Sequence, residues 1–418
     1  MSGGPVQHNE MKFTAFAATD KGKKREVNED VFLIDLDNLL FIISDGMGGQ
    51  AGGELAAQTT VSALHEHIKG NISRFRRRYL EPDGRQRVLE LIDDAVQHAC
   101  RTVYDLSRSK PGYVGMGATM TLLFILGHHG FMAHVGDSRL YLKRRGMVQL
   151  LSRDQTLAAD LVSKGLLDPK EARTHQSASV LLQAIGEHPA VQVETFSLEV
   201  LAEDTYMLCT DGLSAYLNGH RDLLPFLTRD DLASVPRELV RRALDGGGRD
   251  NVTALVVRAS AKESHQRQQE QRTGEFDLTF DRVFASSLFN TLIFRELVMV
   301  LSLADIKRYE PGEPVVEEQE ENDSIYIVLE GQLSLSIGGR PMRYLNPGGL
   351  YGDSTLLKVG PVQGTLQAVQ PTRVLSIKTE QLNDLLKRHP RMGNKILKNL
   401  ALRFYLRLEH VLQELVVD

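Results

Sequence analysis

The chain is poor in the residues that make covalent staples or soft-metal sites. Among 418 residues there are two cysteines, Cys100 and Cys209, each in an apolar context without ligand spacing. A disulfide framework is therefore not expected, and both read as buried free thiols of a reducing compartment. Residues 1–20 hold no continuous apolar stretch, so no secretory leader is expected. The longest apolar runs, such as 120–126, are strand-length and too short to span a bilayer. Positive charge is not in excess either: the net charge is -5, which argues against general binding to nucleic acid or anionic membrane. These absences leave a cytoplasmic globular protein, with no DNA or membrane partner, long enough for two or three domains.

What the chain does carry is aspartate at the ends of apolar runs. Phe41-Ile-Ile-Ser-Asp45-Gly46, His134-Val-Gly-Asp137-Ser138, Met207-Leu-Cys-Thr-Asp211-Gly212 and Gly248-Arg-Asp250-Asn251-Val252-Thr253 each set one beside glycine or asparagine. Arg25-Glu-Val-Asn28-Glu29-Asp30 lies just upstream of the first. Any one of these alone reads as a turn, but turns do not also require the Arg-x-x-Asn-Glu-Asp segment. Rigid carboxylates without a His/Cys cluster suit hard cations, magnesium or manganese. Two such ions roughly 4 Å apart would activate a shared water and neutralise phosphoryl oxygens, which points to a phosphate hydrolase. Asp45 is the best bridging candidate, with the Gly46 carbonyl as an extra ligand. Asp211 and Asp250 complete one metal. Glu29 and Asp30 are placed one layer out, on metal-bound waters, with Asn251 beside them. Arg25 is the candidate clamp for a substrate phosphate.

Around these motifs the chain alternates strand-like and helical runs. Strands are expected at 31–36 and 39–44, turning at Asp37-Asn38, then at 119–126, 131–135, 140–144, 205–210 and 252–257. Helices are expected at 54–68 and 85–107, the second from the spacing of Val88, Leu91, Ile92, Ala95, Ala99 and Val103. Residues 155–187 read as helix and loop without a strong apolar pattern. The segment 260–275 is almost wholly charged or polar and reads as a linker or a solvated helix. The run Arg74-Phe-Arg-Arg-Arg78 could dock a phosphorylated partner but fits a solvated face better. His128-His129 fit a turn.

The ordered set Arg25-x-x-Asn28-Glu29-Asp30, Asp45-Gly46-Met47-Gly48-Gly49, Met116-Gly117-Ala118-Thr119, Val135-Gly136-Asp137-Ser138-Arg139, Thr210-Asp211-Gly212 and Asp250-Asn251-Val252-Thr253 resembles the type 2C metal-dependent Ser/Thr protein phosphatases, bacterial type, over residues 13–258. The resemblance implies two stacked antiparallel sheets flanked by helices, with a dinuclear site at one edge. It also implies that Asp45 and Gly46 bind both ions, Asp211 and Asp250 one, and that Asp137 with Asp211 helps to hold a third, weaker ion. The expected substrate is a phosphorylated protein and the expected setting a Ser/Thr kinase pathway. Two departures stand out. Met47 takes the place of a histidine that some members use as an acid, and the flap 155–186 begins Asp154-Gln155-Thr156 where the family often has Asp-His-Ser. The flap also lacks the usual basic residue before its Leu-x-x-Ala-Ile-Gly end.

Beyond 278, short β runs punctuated by glycine suggest a small β-roll, making the whole chain α+β. The expected division is a catalytic domain at 10–259, a polar linker at 260–277 and a roll with a C-terminal helix at 278–418. Tyr309-Glu-Pro-Gly312-Glu313, Ile325-Tyr-Ile-Val328, Glu330-Gly331 and Leu350-Tyr-Gly352-Asp353-Ser-Thr-Leu356-Leu357 resemble a cyclic-nucleotide-binding roll and its phosphate cassette. The resemblance places a nucleotide pocket at Gly352, Asp353, Ser354 and Thr365. Here the cassette glutamate is Asp353 and the phosphate-binding arginine position is Val362. A lost charge-assisted hydrogen bond costs about 1.5–3 kcal/mol, so a different ligand, or a role in protein contacts, is expected over ordinary cyclic AMP or cyclic GMP binding. Met392, Ile396, Leu400, Phe404, Val411 and Leu415 form a stripe on the last helix, expected to pack on the roll or on a second copy in a homodimer. Transcription factors of this kind add a helix-turn-helix after that helix; the sequence stops within it at Asp418, so no DNA reader is expected. The rivals to a regulated phosphatase are a non-catalytic pseudophosphatase scaffold and a phosphatase gated by a cyclic nucleotide.

Overall fold

The structure is a computed structural model that describes residues 10–48, 52–172 and 174–417. Gly49 of the glycine motif, residue 173 of the flap and the side chains at 410, 411 and 414–417, including the stripe positions Val411 and Leu415, lie outside the described residues. The chain forms two compact units, dividing between Glu270 and Gln271.

The first unit holds two antiparallel sheets. One runs in the order Met11–Asp20, Val252–Ala261, Thr205–Cys209, Arg139–Arg144, Met147–Leu150. The other runs Asp30–Asp35, Leu40–Met47, Met120–Leu126, His129–Val135, Glu194–Glu199, with Gly117–Ala118 pairing onto the end of Leu40–Met47. Strands covered on both faces read as continuous apolar runs, and Val252–Ala261 shows why. Val252, Ala254 and Val256 pack with Val235, Leu239 and Ala243 of the helix Val235–Asp245. Leu255 and Val257, pointing the other way, are just as buried. The second sheet is covered by helices Gly52–Gly70 and Gly84–Ser107, whose Leu64, Ile68, Val88, Ile92 and Val96 share a cluster with Leu40, Ile42, Leu122 and Phe124.

Several boundaries differ from expectation for local reasons. The first hairpin turns over four residues, not two, because Asp35 accepts from the Asp37 and Asn38 amides and Leu39 takes a positive φ of 52°. The arginine run lies on its own helix, Ile72–Tyr79, anchored by buried Phe75, with Arg78 paired to Glu81. His129 opens a strand and meets the Tyr79 hydroxyl at 2.8 Å. Of the two forms expected for the polar segment 260–275, linker or solvated helix, most of it takes the helical one. The strand Val252–Ala261 reaches into it and a helix, Gln266–Ala285, starts within it. Gln268 and Gln269 donate to Glu10.

The second unit is a β-roll of two four-stranded antiparallel sheets. One orders Ala304–Tyr309, Thr372–Lys378, Ser324–Glu330, Leu350–Tyr351; the other Pro314–Val316, Thr365–Ala368, Leu333–Ile337, Arg340–Leu345. Phe294–Leu301, Thr379–Arg388 and Pro390–Val417 are its helices. On the last of these Met392, Ile396 and Leu400 are buried, as the stripe requires. A second face carries Leu397, Tyr405, Leu408 and Leu412 and is exposed.

Candidate metal centre

Each aspartate of the set stands where a strand meets a turn. Asp45 lies near the end of Leu40–Met47, after its buried run Leu40–Ser44, and is in register with Asp30 on the neighbouring strand. Asp137 lies between His129–Val135 and Arg139–Arg144, so its loop passes from one sheet to the other. Asp211 follows Thr205–Cys209 and opens a one-turn helix, Asp211–Ser214. Asp250 immediately precedes the Asn251 that leads into Val252–Ala261.

Asp45, Asp137 and Asp211, with Asp30 beside them, behave as one electrostatic unit. Burial, followed by repulsion from Asp30, Asp211, Asp137 and Asp250, holds the Asp45 carboxyl well above the carboxylate range. Burial and then Asp211 push Asp137 up to about 8. Asp211 is raised by burial and by Asp250, against a hydrogen bond shared with Asp45. Asp30 is pushed up to about 7, by burial first. Like charges held this close are stable only with protons or cations between them. Two oxygens say the same: Asp30 Oδ1 and Asp211 Oδ1 are buried without a hydrogen-bond partner.

Hydroxyls hold Asp30 and the backbone at Asp45. Asp30 Oδ2 accepts from Thr210 Oγ1 at 2.8 Å and Thr253 Oγ1 at 2.7 Å. The Asp45 amide donates to Thr119 Oγ1, which in turn meets Ser138 Oγ at 2.7 Å. Arg139 holds Asp154 through two bonds of 2.9 and 2.6 Å, fixing the loop after Asp137. Gln155 accepts from the Gly136 amide, so the flap's first residue is tied to the same loop. These threonines, Ser138 and the Arg139–Asp154 pair were not singled out from the sequence. The signal was there, since Thr119, Thr210 and Thr253 all lie inside the quoted motifs, but nothing local says which carboxylate they serve.

The remaining candidates are placed as follows. Arg25 forms a bidentate pair with Asp250, Nε to Oδ1 and Nη2 to Oδ2 both at 2.9 Å, and is half-exposed. Asn251 accepts from the Glu29 amide and donates to the carbonyls of Lys21 and Val27, pinning the Arg25 turn against the Asp250 loop. The Glu29 carboxyl is raised, chiefly by burial. Backbone approaches are close: a Cβ on Gly46 would lie 2.0 Å from the Gly53 carbonyl oxygen, and one on Gly212 1.9 Å from that of Asn251.

Among the described residues no three His, Cys, Asp or Glu side chains close around a point as a finished cage. An all-oxygen set with open positions still fits hard cations that keep part of their water, as magnesium does. The orphaned Asp211 oxygen and the mutual repulsion fit a cationic occupant.

In the roll, Gly352, Asp353 and Ser354 line a cavity of about 580 Å³. Thr365 is not on its wall; its hydroxyl accepts from the Glu318 amide. Asp353, expected to meet a ribose, is 3% exposed and instead takes Arg403 Nε at 2.8 Å and Arg407 Nη2 at 3.1 Å from the last helix.

A sandwich with carboxylates gathered at its strand ends and flanking helices defines an α+β metal-hydrolase architecture. The protein phosphatase 2C profile matches residues 20–244, over half of the chain, and the chain belongs to that family. A cyclic nucleotide-binding domain profile matches residues 306–389. The serine/threonine protein phosphatase PstP of Mycobacterium tuberculosis is 34% identical over 241 residues, 58% of this chain and 44% of that protein. The match therefore spans less than half the length of that relative. The serine/threonine phosphatase stp of Listeria welshimeri is 29% identical over 249 residues, 57% of this chain and 93% of that protein. The PstP catalytic domain solved in complex with two manganese ions superposes with a TM-score of 0.51 at 31% identity, over 60% of this chain and 99% of that one. Among the described residues no helix is long and apolar enough to cross a membrane.

Proposed function

We propose that the chain is a metal-dependent Ser/Thr protein phosphatase, with residues 10–259 as its catalytic domain, 260–277 as the join and 278–418 as a roll that regulates or positions it. The observation that carries this reading is the convergence of Asp45, Asp137, Asp211 and Asp250 on one mutually repelling locus beside a half-exposed arginine. Asp45 and the Gly46 carbonyl would hold both of two manganese or magnesium ions, Asp211 and Asp250 one, and Asp137 together with Asp211 a third, weaker one. Bound there, such ions lower the pKa of a shared water and offset phosphoryl charge. Arg25 supplies a planar fork matched to phosphate oxygens; its present partner Asp250 holds it at the locus. Asp30, clamped by two threonines, and Glu29 would fix water beyond the ligands, with Asn251 keeping Glu29 in place. Met47 has no proton to give, so the leaving serine or threonine oxygen would take its proton from water or from another acid.

The manganese complex of the PstP catalytic domain supports the choice of ion. The phosphatases among the relatives support a phosphorylated protein as substrate, and with it a partner Ser/Thr kinase pathway. The exposed face of the last helix supports self-association through that helix. The test is release of phosphate from phosphoserine and phosphothreonine peptides with manganese or magnesium. Activity abolished by chelation and by Asp211→Asn is the expected result. Full activity in Asp45→Asn or Asp211→Asn would refute the assignment.

A further inference from the structure

The flap leaves and rejoins the sandwich at two different parts of the metal locus. It leaves at Gln155, whose amide donates to the Gly136 carbonyl at 2.8 Å, next to Asp137. It rejoins at Ile185, which exchanges two backbone bonds of 2.8 and 3.0 Å with Ala118. Ala118 is the cross-strand partner of Gly46. The two ends meet at Gln155. Its carbonyl accepts from the Leu182 amide at 2.8 Å. Its side-chain Oε1 accepts twice, from the Gly136 amide at 2.9 Å and from Gln183 Nε2 at 3.0 Å. Its Nε2 faces the His134 carbonyl at 3.4 Å. Gln183 is aimed by a reciprocal pair with Gln192, giving to its carbonyl at 2.7 Å and taking from its amide at 2.9 Å.

The choice of side chain matters. A backbone N–H only donates, so the Gly136 bond fixes which end of the Gln155 amide faces the loop. A carboxamide oxygen has two lone pairs and here both are used, whereas an imidazole nitrogen has one. Glutamine, standing where the family often has histidine, thus joins Gly136 and Gln183 through a single atom. On its other side the loop has no slack. Gly136 takes a φ of 104°, and a Cβ there would lie 2.7 Å from Thr119 Cγ2.

We propose that Gln155 is a positioning residue that locks the Asp137 loop and both ends of the flap into one piece. It acts through Asp137 and the flap and not on the substrate, and its kinetic consequence rests on the phosphatase reading. Because loop and flap move together, a cation held at Asp137 steadies the flap. A loosened flap weakens that cation by the same factor.

Two measurements on the full chain test this: amide hydrogen exchange, and hydrolysis of a phosphothreonine peptide against manganese concentration. Gln155→Met keeps the length of the side chain and removes its hydrogen bonds. Losing one or two neutral bonds is worth about threefold to tenfold. Exchange over 134–138 and 180–185 should accelerate by that factor in the metal-free protein, while the core strand 120–126 stays protected. The manganese concentration for half-maximal activity should rise by a similar factor, with a smaller change in kcat at saturation. Manganese should slow exchange over 180–185 in the wild type, and Gln155→Met should lose that protection. Gln183→Met is the independent arm, and the double variant should show less than the product of the two single effects. Gln176→Ala, at an exposed flap position, should match the wild type. Wild-type exchange in Gln155→Met would overturn the inference. So would faster exchange with an unchanged manganese requirement and manganese protection retained, the signature of a merely structural residue. If the wild type itself hydrolyses no peptide, the phosphatase reading fails, and the metal-free exchange still decides the lock.

Discussion

Replacing Gly46 by alanine adds one methyl group at the point where the sheet, the helix Gly52–Gly70 and the Arg25 turn converge. That carbon would lie 2.0 Å from the Gly53 oxygen, 2.4 Å from the Gly53 carbonyl carbon and 3.0 Å from the Glu29 oxygen. All three are backbone atoms, so no side chain can rotate away. Ordinary contact is about 3.5 Å, so the strand end and the helix start must part by about 1.5 Å. Overpacking of this kind costs about 1–3 kcal/mol, which a unit of this size survives. The site does not fare as well. A displacement of about 1 Å in a positioned constellation costs about a hundredfold in rate, and the part that moves carries Asp45 and the Gly46 carbonyl. The expected result is therefore a folded protein, melting a few degrees lower, with kcat on a phosphothreonine peptide down about a hundredfold. Gly274→Ala is the control: it lies in Gln266–Ala285 and its added carbon meets nothing within 4 Å. That change should leave kcat alone and add about 0.5–1 kcal/mol of stability. Wild-type kcat in Gly46→Ala would refute the reasoning.

Arg144 and Asp204 form a buried ion pair at 2.5 Å, with Asp204 also accepting from the Leu201 amide and the Tyr206 hydroxyl. Arg144→Met strands the carboxylate and should cost about 3–5 kcal/mol in urea denaturation, part of it recovered by adding Asp204→Asn. Asp35 is raised by burial but pulled further down by its bonds with Asn38 and then His65, for a net lowered pKa. A depressed carboxylate contributes stability above its ordinary pKa of 3.8, lost as pH falls below that through the folded-state value. Asp35→Asn should therefore flatten the acid side of the urea midpoint–pH curve and leave its neutral side lower. On the last helix, Leu408→Glu with Leu412→Glu should turn a dimer into a monomer in sedimentation velocity; an unchanged mass would exclude self-association through that face.

The aspartates were legible because strand-end carboxylates next to small residues are a local pattern, and the core helices because their apolar spacing is local too. What stayed hidden depends on partners far along the chain. Thr210 and Thr253 serve Asp30 across 180 and 223 residues, and a threonine looks the same whether it meets a carboxylate or water. Arg403 and Arg407 read as ordinary helix-surface cations until the fold sets them against Asp353. The strand Glu194–Glu199 was missed because six residues with two apolar ones give little alternation to read. Residues 260–275 read as a linker or a solvated helix from polarity alone; they are rich in Gln, Arg and Glu, which form helices readily, and the helix is what forms from Gln266 onward.

The bonds from Thr210 and Thr253 to Asp30 join one sheet to the other, and the candidate ligands are divided the same way. Asp45 comes from one sheet, Asp211 and Asp250 from its partner, and the Asp137 loop crosses between them. The locus thus sits on a seam, and its shape measures how the two layers are aligned. Warming that lets the layers slip by a fraction of an ångström spreads the carboxylates while every strand keeps its ladder. Such a molecule loses its working geometry at a temperature where its circular dichroism is still that of the native fold.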